Sequence, residues 1–165
     1  AFAKDLWEKL GGYDETLLSN EDYEFNTRIR QSGGRVWLDP AIHTVYFARK
    51  NLADLARQYW RYGYWKVQML KRYPGTLRYR QALPPLFVLG LLTLLLVGLF
   101  WWPPIALFLV VFGLYLLVLL VLALSVAVRK QDILMLVGVP LAVATMHFAW
   151  GIGFLSGLIR PPKGK

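Results

Sequence analysis

Long uncharged stretches fill the second half of the sequence. Three of them lack Asp, Glu, Lys and Arg and run from Leu83 to Trp102, from Pro103 to Val128 and from Ile133 to Ile159, with 20, 26 and 27 residues. About 20 apolar residues in a helix cross the hydrocarbon layer of a bilayer, because each residue adds about 1.5 Å. The pattern predicts a multi-pass membrane protein with spans at about 83–102, 104–128 and 133–158.

The first half is polar and has a different periodicity. Apolar residues recur every fourth position from Phe2 to Leu10 and are followed by two glycines, which predicts a short helix. Ser19 and Asn20 are good caps for a second helix that begins at Glu21 and ends at the glycine pair starting at Gly33.

Two segments rich in Val, Ile and aromatic residues follow, from Arg35 to Leu38 and from Ile42 to Phe47. Asp39 and Pro40 separate them, so they are predicted to be two short strands joined by a turn. The polar part, residues 1–50, is therefore expected to be an α/β fragment. It would be followed by an amphipathic segment at residues 51–82, a transmembrane domain at 83–159 and a tail at 160–165.

The amphipathic segment between Asn51 and Tyr73 interleaves aromatic and basic side chains. Such a helix beside a membrane span is suited to the lipid headgroup layer, where rings and the stems of Lys and Arg are both accommodated. The same composition also occurs in proteins that bind single-stranded nucleic acid. Because a span begins ten residues after Tyr73, the interfacial helix is the favoured interpretation and no nucleic acid is expected.

The charge distribution predicts the orientation in the membrane. The net charge is +9, and residues 51–82 hold one acid, Asp54, against seven basic residues: Arg57, Arg61, Lys66, Lys71, Arg72, Arg78 and Arg80. Basic residues beside spans accumulate on the cytoplasmic side. Seven basic residues near the first span and in the second loop, against three in the tail, place the polar part in the cytoplasm at the cell membrane. The chain contains no Cys, which excludes disulfides and thiolate metal sites.

The most distinctive polar feature is a run of three carboxylates, Glu21, Asp22 and Glu24, at the predicted start of the second helix. Acidic residues favour helix amino termini because they meet free N–H groups and the positive end of the helix dipole. This structural explanation suffices for the cluster taken alone. Its surroundings favour a catalytic explanation.

The order of motifs across residues 1 to about 80 resembles the carboxyl-terminal half of a family 2 glycosyltransferase domain of the GT-A type, in particular exopolysaccharide (succinoglycan-like) enzymes. The resemblance rests on Gly11-Gly12-Tyr13-Asp14-Glu15, Asn20-Glu21-Asp22, Arg28 to Gly34 and the predicted strand pair. It implies that Asp22, with Glu21 beside it, is the catalytic base. A base must remove the proton from a sugar hydroxyl that attacks an activated donor, and a single displacement inverts the anomeric centre.

A second motif lies on the amphipathic segment. Gln58-Tyr59-Trp60-Arg61-Tyr62 is similar to the Gln-x-x-Arg-Trp motif that membrane-embedded members of this family place near donor and acceptor. The resemblance implies that Arg61 contacts the donor phosphates, and that Gln58, Trp60 and Tyr62 contribute to the substrate site. Tyr62 replaces Trp, which weakens any expectation of processive synthesis. A lipid headgroup contact for Arg61 and simple solvation for Gln58 remain the alternatives.

The expected activity is transfer of a hexosyl group, with inversion, from a nucleotide sugar to a lipid-linked or polysaccharide acceptor at the cytoplasmic face. The resemblance also implies Mg²⁺ or Mn²⁺, with ligands upstream of Ala1. Because the chain begins with Ala1 rather than Met and has a short polar part, we expect an incomplete, inactive fragment. The alternative is a non-enzymatic membrane protein whose basic aromatic helix docks on anionic lipid or on a partner.

Other polar or small residues have simpler explanations. His43 is interpreted as a strand-face residue. His147 is the strongly polar, ionisable side chain of a span, so it is a functional candidate, although a hydrogen bond to a neighbouring helix is the favoured interpretation. Gly153 and Gly157 have the spacing that allows close helix packing, and we expect them to pack the third span against the second.

Overall fold

The structure is a computed structural model that describes residues 3–160, and those residues are largely helical. Its α-helices are α1 (Lys4–Lys9), α2 (Glu21–Gln31), α3 (Leu52–Arg72), α4 (Tyr79–Gly98), α5 (Pro103–Lys130) and α6 (Met135–Ile159), with a 3₁₀ turn at Pro74–Thr76. Phe2, expected in the first helix, and residues 161–165 of the tail lie outside the described residues.

Glycines end the two amino-terminal helices, as the sequence predicts. Gly11, Gly12 and Gly33 all have positive φ, between 71° and 84°, which glycine adopts without the steric cost of a Cβ. α2 begins at Glu21 with Asn20 at its N-cap. Asn20 has φ 68°, and its side chain makes no capping bond but points toward the carbonyl of Tyr62, 3.5 Å away. The predicted boundary is confirmed, whereas the predicted capping role of Asn20 is wrong.

The predicted α/β fold class is wrong, because residues 3–160 contain no strand. A strand requires a neighbour that takes up its backbone hydrogen bonds, and the segments 35–38 and 42–47 pair neither with each other nor with another described segment. Their apolar side chains are also exposed: Trp37 is 87% exposed and Val45 is 82% exposed. These residue types are suited to the surface of a sheet, but no sheet forms among residues 3–160.

The turn between these segments does form. The amide of Ile42 donates to the carbonyl of Asp39 at 3.2 Å, and the Asp39 carboxylate accepts from the Ala41 amide at 2.9 Å. His43 lies beyond this turn, exposed and outside any strand, so its predicted place on a strand face is also wrong.

Three helices, α4, α5 and α6, are long and apolar enough to cross a membrane. Pro103 begins α5, and Gln131 ends it in the left-handed conformation with φ 53°. Many large apolar side chains on these helices are exposed, for example Leu86 and Leu109, each 62% exposed. A helix surface of this kind is suited to lipid, so the membrane prediction is supported.

Close contact with α6 is the main packing interaction of α3. A Cβ added at Gly153 would lie 2.1 Å from the carbonyl oxygen of Trp60, and one added at Gly63 would lie 2.3 Å from the carbonyl oxygen of Trp150. Real Cβ contacts are never this short, so glycine is required on both helices. The expected glycine packing is therefore present, but the predicted partner was wrong: Gly153 and Gly157 face α3 rather than the second span.

A buried amide strengthens this interface. The side chain of Gln68 on α3 donates to the Gly157 carbonyl on α6 at 3.2 Å. Away from water, a polar group without a partner costs free energy, so this bond matters more than an exposed one. Small residues bring the two backbones together and the amide fixes their register.

His147 also meets a neighbouring helix. Its Nδ1 lies 3.2 Å from the hydroxyl of Tyr115 on α5. The prediction of an interhelical hydrogen bond is confirmed, and this contact gives His147 a structural role in joining α5 and α6.

A buried lysine supports the junction of α2, α3 and the 3₁₀ turn. Lys66 is 2% exposed. Its Nζ lies 4.1 Å from the centre of the Tyr23 ring and donates to the Thr76 carbonyl at 3.1 Å. Burial, with a smaller contribution from the charge of Arg78, lowers the pKa of Lys66 from 10.5 to about 8.

Replacing Gly153 by Ala should destabilise the protein. The new methyl group would meet the Trp60 carbonyl, and separating the helices to relieve overpacking costs about 1–3 kcal/mol. The measurement is the thermal unfolding midpoint in detergent. Gly138→Ala is the matched control, because a Cβ there has open space on the same helix. Equal midpoints for the two variants would contradict the glycine-dependent contact.

Stability should rise with pH above about 8. Between pH 8 and 10.5 the unfolded chain retains a proton on Lys66 that the folded chain has lost, so the free energy of unfolding increases with pH. Chemical unfolding of the protein and of Lys66→Met would measure this difference. Lys66→Met should lack the rise, while Lys50→Met, which changes an exposed lysine, should keep it. The same pH profile for all three proteins would exclude the assignment.

Candidate functional site

The loop before α2 is attached to the middle of α3. Arg61 Nη2 donates to the Leu18 carbonyl at 3.0 Å, and the Asn20 amide lies 3.5 Å from the Tyr62 carbonyl. Both contacts come from consecutive residues of α3 and reach the segment that directly precedes the acidic start of α2. They place Glu21 and Asp22 beside the motif on α3, although the two lie more than 35 residues apart in sequence.

A cleft of about 830 Å³ opens at this junction. It is lined by Leu18, Ser19, Asn20, Glu21, Asp22, Arg49, Asp54, Arg57, Gln58, Arg61, Tyr62, Gln81 and Trp150. Charged and polar groups from α2, α3 and the segment between them therefore face the same space, beside the first turn of α4. Such a concave site with convergent polar groups is the usual form of a ligand site.

Five of the six residues singled out from the sequence line this cleft: Glu21, Asp22, Gln58, Arg61 and Tyr62. Trp60 does not. Its ring stacks on Tyr64 at 5.2 Å between centroids, and its carbonyl lies against Gly153. The structure gives Trp60 a packing role on the α6 side of α3, away from the cleft, while the chemical roles of the other five remain predictions.

Gln58 is held by three neighbours. Its Oε1 accepts from Arg49 Nε at 2.7 Å, and its Nε2 donates to the hydroxyls of Tyr62 at 2.6 Å and of Tyr46 at 3.2 Å. These bonds use both amide hydrogens and the carbonyl oxygen, so the side chain has a fixed orientation. The hydroxyl that Tyr62 supplies at this position would be absent from the Trp of the related motif.

Acidic and basic groups are mixed in the cleft. Asp54 forms an ion pair with Arg57 at 2.8 Å, and its backbone N–H donates to the side chain of Asn51, which caps α3. Arg57 is therefore already paired on its own helix. Arg49 donates to the side-chain amide of Gln58, and Arg61 donates to the Leu18 carbonyl, so neither is paired with a carboxylate. Among the lining residues, these two cations are the best able to bind an anionic ligand.

Other lining residues, among them Arg49, Gln81 and Trp150, were not predicted as site residues from the sequence. Arg49 lies two residues beyond the predicted second strand, which was expected to end at Phe47. Trp150 belongs to α6, and its indole N–H donates to the Gln81 carbonyl at 3.1 Å. Trp150 lies within an apolar run, nine residues before the end of the run at Ile159, and no sequence signal brings it to the cleft.

Glu24, the third carboxylate of the cluster, has a structural role. It is 1% exposed and accepts two bonds from Arg28, at 2.6 and 2.8 Å, and one from the Tyr73 hydroxyl at 2.8 Å. Arg28 also donates to the carbonyls of Leu10 and Gly12. The hydrogen bond that Arg28 donates to Glu24 raises the pKa of Arg28, and burial raises the pKa of Tyr73. Glu24 thus joins the loop after α1, α2 and the end of α3.

The divalent cation implied by the resemblance has no ligand set here. Among residues 3–160, no group of three His, Asp or Glu side chains is placed to hold a metal ion. Glu21, Asp22 and Asp54 line the cleft together with three arginines, Arg49, Arg57 and Arg61. The described residues do not fit a metal centre, and none of the chemistry below passes through one.

Comparison with known proteins identifies the family. The sequence model of the family described as Glycosyl transferase family 21 matches residues 1–161 of this chain. The chain belongs to this family. The resemblance to glycosyltransferases of the exopolysaccharide type is thus confirmed, and the membership covers the membrane helices as well as the polar part.

Two curated relatives are similar to the chain. The succinoglycan biosynthesis protein ExoA of Rhizobium meliloti (strain 1021) is 32% identical over 80 residues, which cover 48% of this chain and 24% of that protein. The second relative, from Methanococcus voltae, is dolichyl N-acetyl-alpha-D-glucosaminyl phosphate 3-beta-D-2,3-diacetamido-2,3-dideoxy-beta-D-glucuronosyltransferase. It is 22% identical over 148 residues, which cover 90% of this chain and 42% of that protein. No solved structure matches the chain.

Glycosyl transfer is therefore the activity of the family, and three apolar helices indicate a membrane location. The chain spans less than half the length of either relative. The donor, the acceptor and the stereochemistry of the whole protein consequently belong to the proposal below.

Proposed function

We propose that this chain forms the acceptor side and the membrane anchor of an inverting glycosyltransferase. The enzyme transfers a hexosyl group from a nucleotide sugar to a lipid-linked or polysaccharide acceptor. The observation that carries the proposal is the cleft in which Asp22 shares one space with Gln58 and Arg61. Family membership makes this cleft the first candidate for the transfer reaction.

Asp22 is assigned as the general base. Its carboxylate is exposed to the cleft at the start of α2, whereas Glu24 is buried and fully engaged. The acceptor oxygen attacks the anomeric carbon, Asp22 takes the hydroxyl proton, and the nucleoside diphosphate leaves with the electrons of the broken bond. Glu21 lies beside Asp22 and helps to position the acceptor.

Arg61 is assigned to the donor phosphates. A guanidinium keeps its charge and presents a planar set of donors that matches phosphate oxygens. Arg61 donates to the Leu18 carbonyl through Nη2, which leaves its other N–H groups for a ligand. Gln58 is fixed by its bonds to Arg49 and Tyr62, so the side chains in this part of the cleft keep one arrangement.

A lipid-linked acceptor is favoured by the membrane helices. Trp150 of α6 and Gln81 of α4 form part of the cleft wall, so a substrate anchored in the bilayer can reach it along these helices. The name of the Methanococcus relative describes a dolichyl phosphate-linked acceptor and a β-linked product. Tyr62 in place of Trp and a small membrane domain favour the addition of one or a few sugars over processive synthesis.

The cleft is assigned to the cytoplasmic side of the cell membrane. Basic residues cluster between residues 51 and 82 and at Arg129 and Lys130, and such residues accumulate on the cytoplasmic side of spans. Nucleotide sugars are cytoplasmic metabolites, so this orientation brings the donor to Arg61.

Asp22→Asn should lower turnover by roughly 10² or more in the intact enzyme. The amide keeps the size of the side chain but cannot take the proton, so donor affinity should change little. Steady-state transfer of labelled sugar in membranes measures both quantities. Glu8→Gln, which changes an exposed carboxylate on α1, is the control. Near-normal turnover in Asp22→Asn would contradict this assignment and indicate that another group takes the proton.

Arg61→Lys should raise the Michaelis constant for the nucleotide sugar about tenfold, because a charged hydrogen bond is worth roughly 1.5–3 kcal/mol and lysine lacks the planar fork. The kinetics are measured in detergent without anionic lipid. Arg80→Lys, which changes a basic residue close to the membrane but outside the cleft, should have no effect. An Arg61→Lys effect that occurs only with anionic lipid present would assign Arg61 to headgroups instead.

A further inference from the structure

A second cavity lies on the other side of the α2–α3 junction, and we call it the basic cavity. It has a volume of about 480 Å³, and its lining includes Tyr23, Arg30, Arg72, Tyr73, Thr76 and Arg78. It shares no lining residue with the cleft that contains Asp22. It is therefore a separate site, and the transfer reaction proposed above does not use it.

The electrostatics of the basic cavity favour an anion. Three guanidinium groups line it, and none of its lining residues is acidic. Arg72 is paired with Asp14 and with the hydroxyl of Thr16. The side chains of Arg30 and Arg78 have no hydrogen-bond or ion-pair partner among the described residues, so two positive charges face the cavity without compensation.

A further positive charge lies in the wall. Lys66 is buried directly behind two lining residues, with its Nζ on the Tyr23 ring and at the Thr76 carbonyl. Its pKa is lowered mainly by burial and further by the positive charge of Arg78, so Lys66 and Arg78 repel each other. An anionic ligand in the cavity would relieve this repulsion.

The position of the cavity indicates what kind of anion it receives. Arg78 directly precedes the first residue of α4, and the apolar run of that helix begins one turn later, at Leu83. The opening thus lies at the level where a membrane span meets water. Tyr23 and Tyr73 add rings with polar tips, which suit the headgroup layer, and arginine binds phosphate oxygens in a bidentate manner.

We propose that the basic cavity binds the phosphate of an anionic membrane phospholipid, with Arg30 and Arg78 as its principal ligands and Arg72 as a third. Bound there, the phosphate links α2 to the first turn of α4. The lipid would fix the polar part of the protein at the membrane surface without entering the cleft that contains Asp22.

The test uses the intact protein in mixed micelles that contain phosphatidylglycerol, with bound lipid counted by native mass spectrometry. Arg30→Gln and Arg78→Gln should each weaken phosphatidylglycerol binding on the order of fivefold, which corresponds to the loss of one basic residue near an anionic surface. Arg80→Gln is the matched control, because this residue lies two positions after Arg78 but does not line the cavity. Arg30→Lys and Arg78→Lys, which keep the charge but lose the planar fork, should weaken binding less than the Gln variants do.

Each other outcome contradicts a specific part of the proposal. Equal loss in Arg80→Gln would show general attraction to a basic surface, and equal binding of phosphatidylcholine would show that net negative charge is not recognised. Competition by millimolar inorganic phosphate would assign the cavity to a free anion. Asp22→Asn, which tests the transfer reaction, should leave lipid binding unchanged, so failure of either proposal can be recognised separately.

Discussion

Backbone atoms of α3 and α6 approach each other more closely than any side chain larger than hydrogen allows, and the rest of the molecule is arranged around this contact. Gly63 on one helix and Gly153 on the other each face a carbonyl of the partner. The loop before α2 and the cleft both depend on α3. The polar part buries few apolar residues of its own. It is attached to α3, and α3 is packed against the membrane helix α6.

Hydrogen bonds and ion pairs, more than apolar packing, attach the polar part to α3. Phe25 and Ile29 form a small buried group on α2, while Glu24 and Arg28 connect that helix to the loop after α1 and to Tyr73. This largely buried ion pair is costly to break, because removing one partner leaves the charge of the other uncompensated. The three carboxylates of the acidic cluster thus have different roles. Glu24 attaches α2 to its neighbours, whereas Glu21 and Asp22 line the cleft.

The helices could be predicted because their signals are local. Glycine pairs, a 3.6-residue apolar period and long uncharged runs depend only on neighbouring residues. The strands could not be predicted correctly from residues 35–47, because a strand exists only when another segment pairs with it. The cleft was partly predictable: Asp22 and Arg61 carried recognisable motifs, whereas Arg49 and Trp150 reach it through contacts that no local pattern records. Trp60 lies outside the cleft lining, and a motif gives a residue's sequence position but not the face of the helix that it occupies.

Trp150 connects the cleft to the lipid bilayer. Its ring forms part of the cleft wall and its N–H is bonded to the first turn of α4, while its own helix is one of the three apolar helices. A helix whose apolar length differs from the local hydrocarbon thickness adjusts by tilting. Because α6 cannot slide past α3 without a clash at Gly153, any tilt would be passed on to the helix that carries Gln58 and Arg61. We therefore expect the thickness of the membrane to influence the geometry of the cleft through the tilt of α6 and α3.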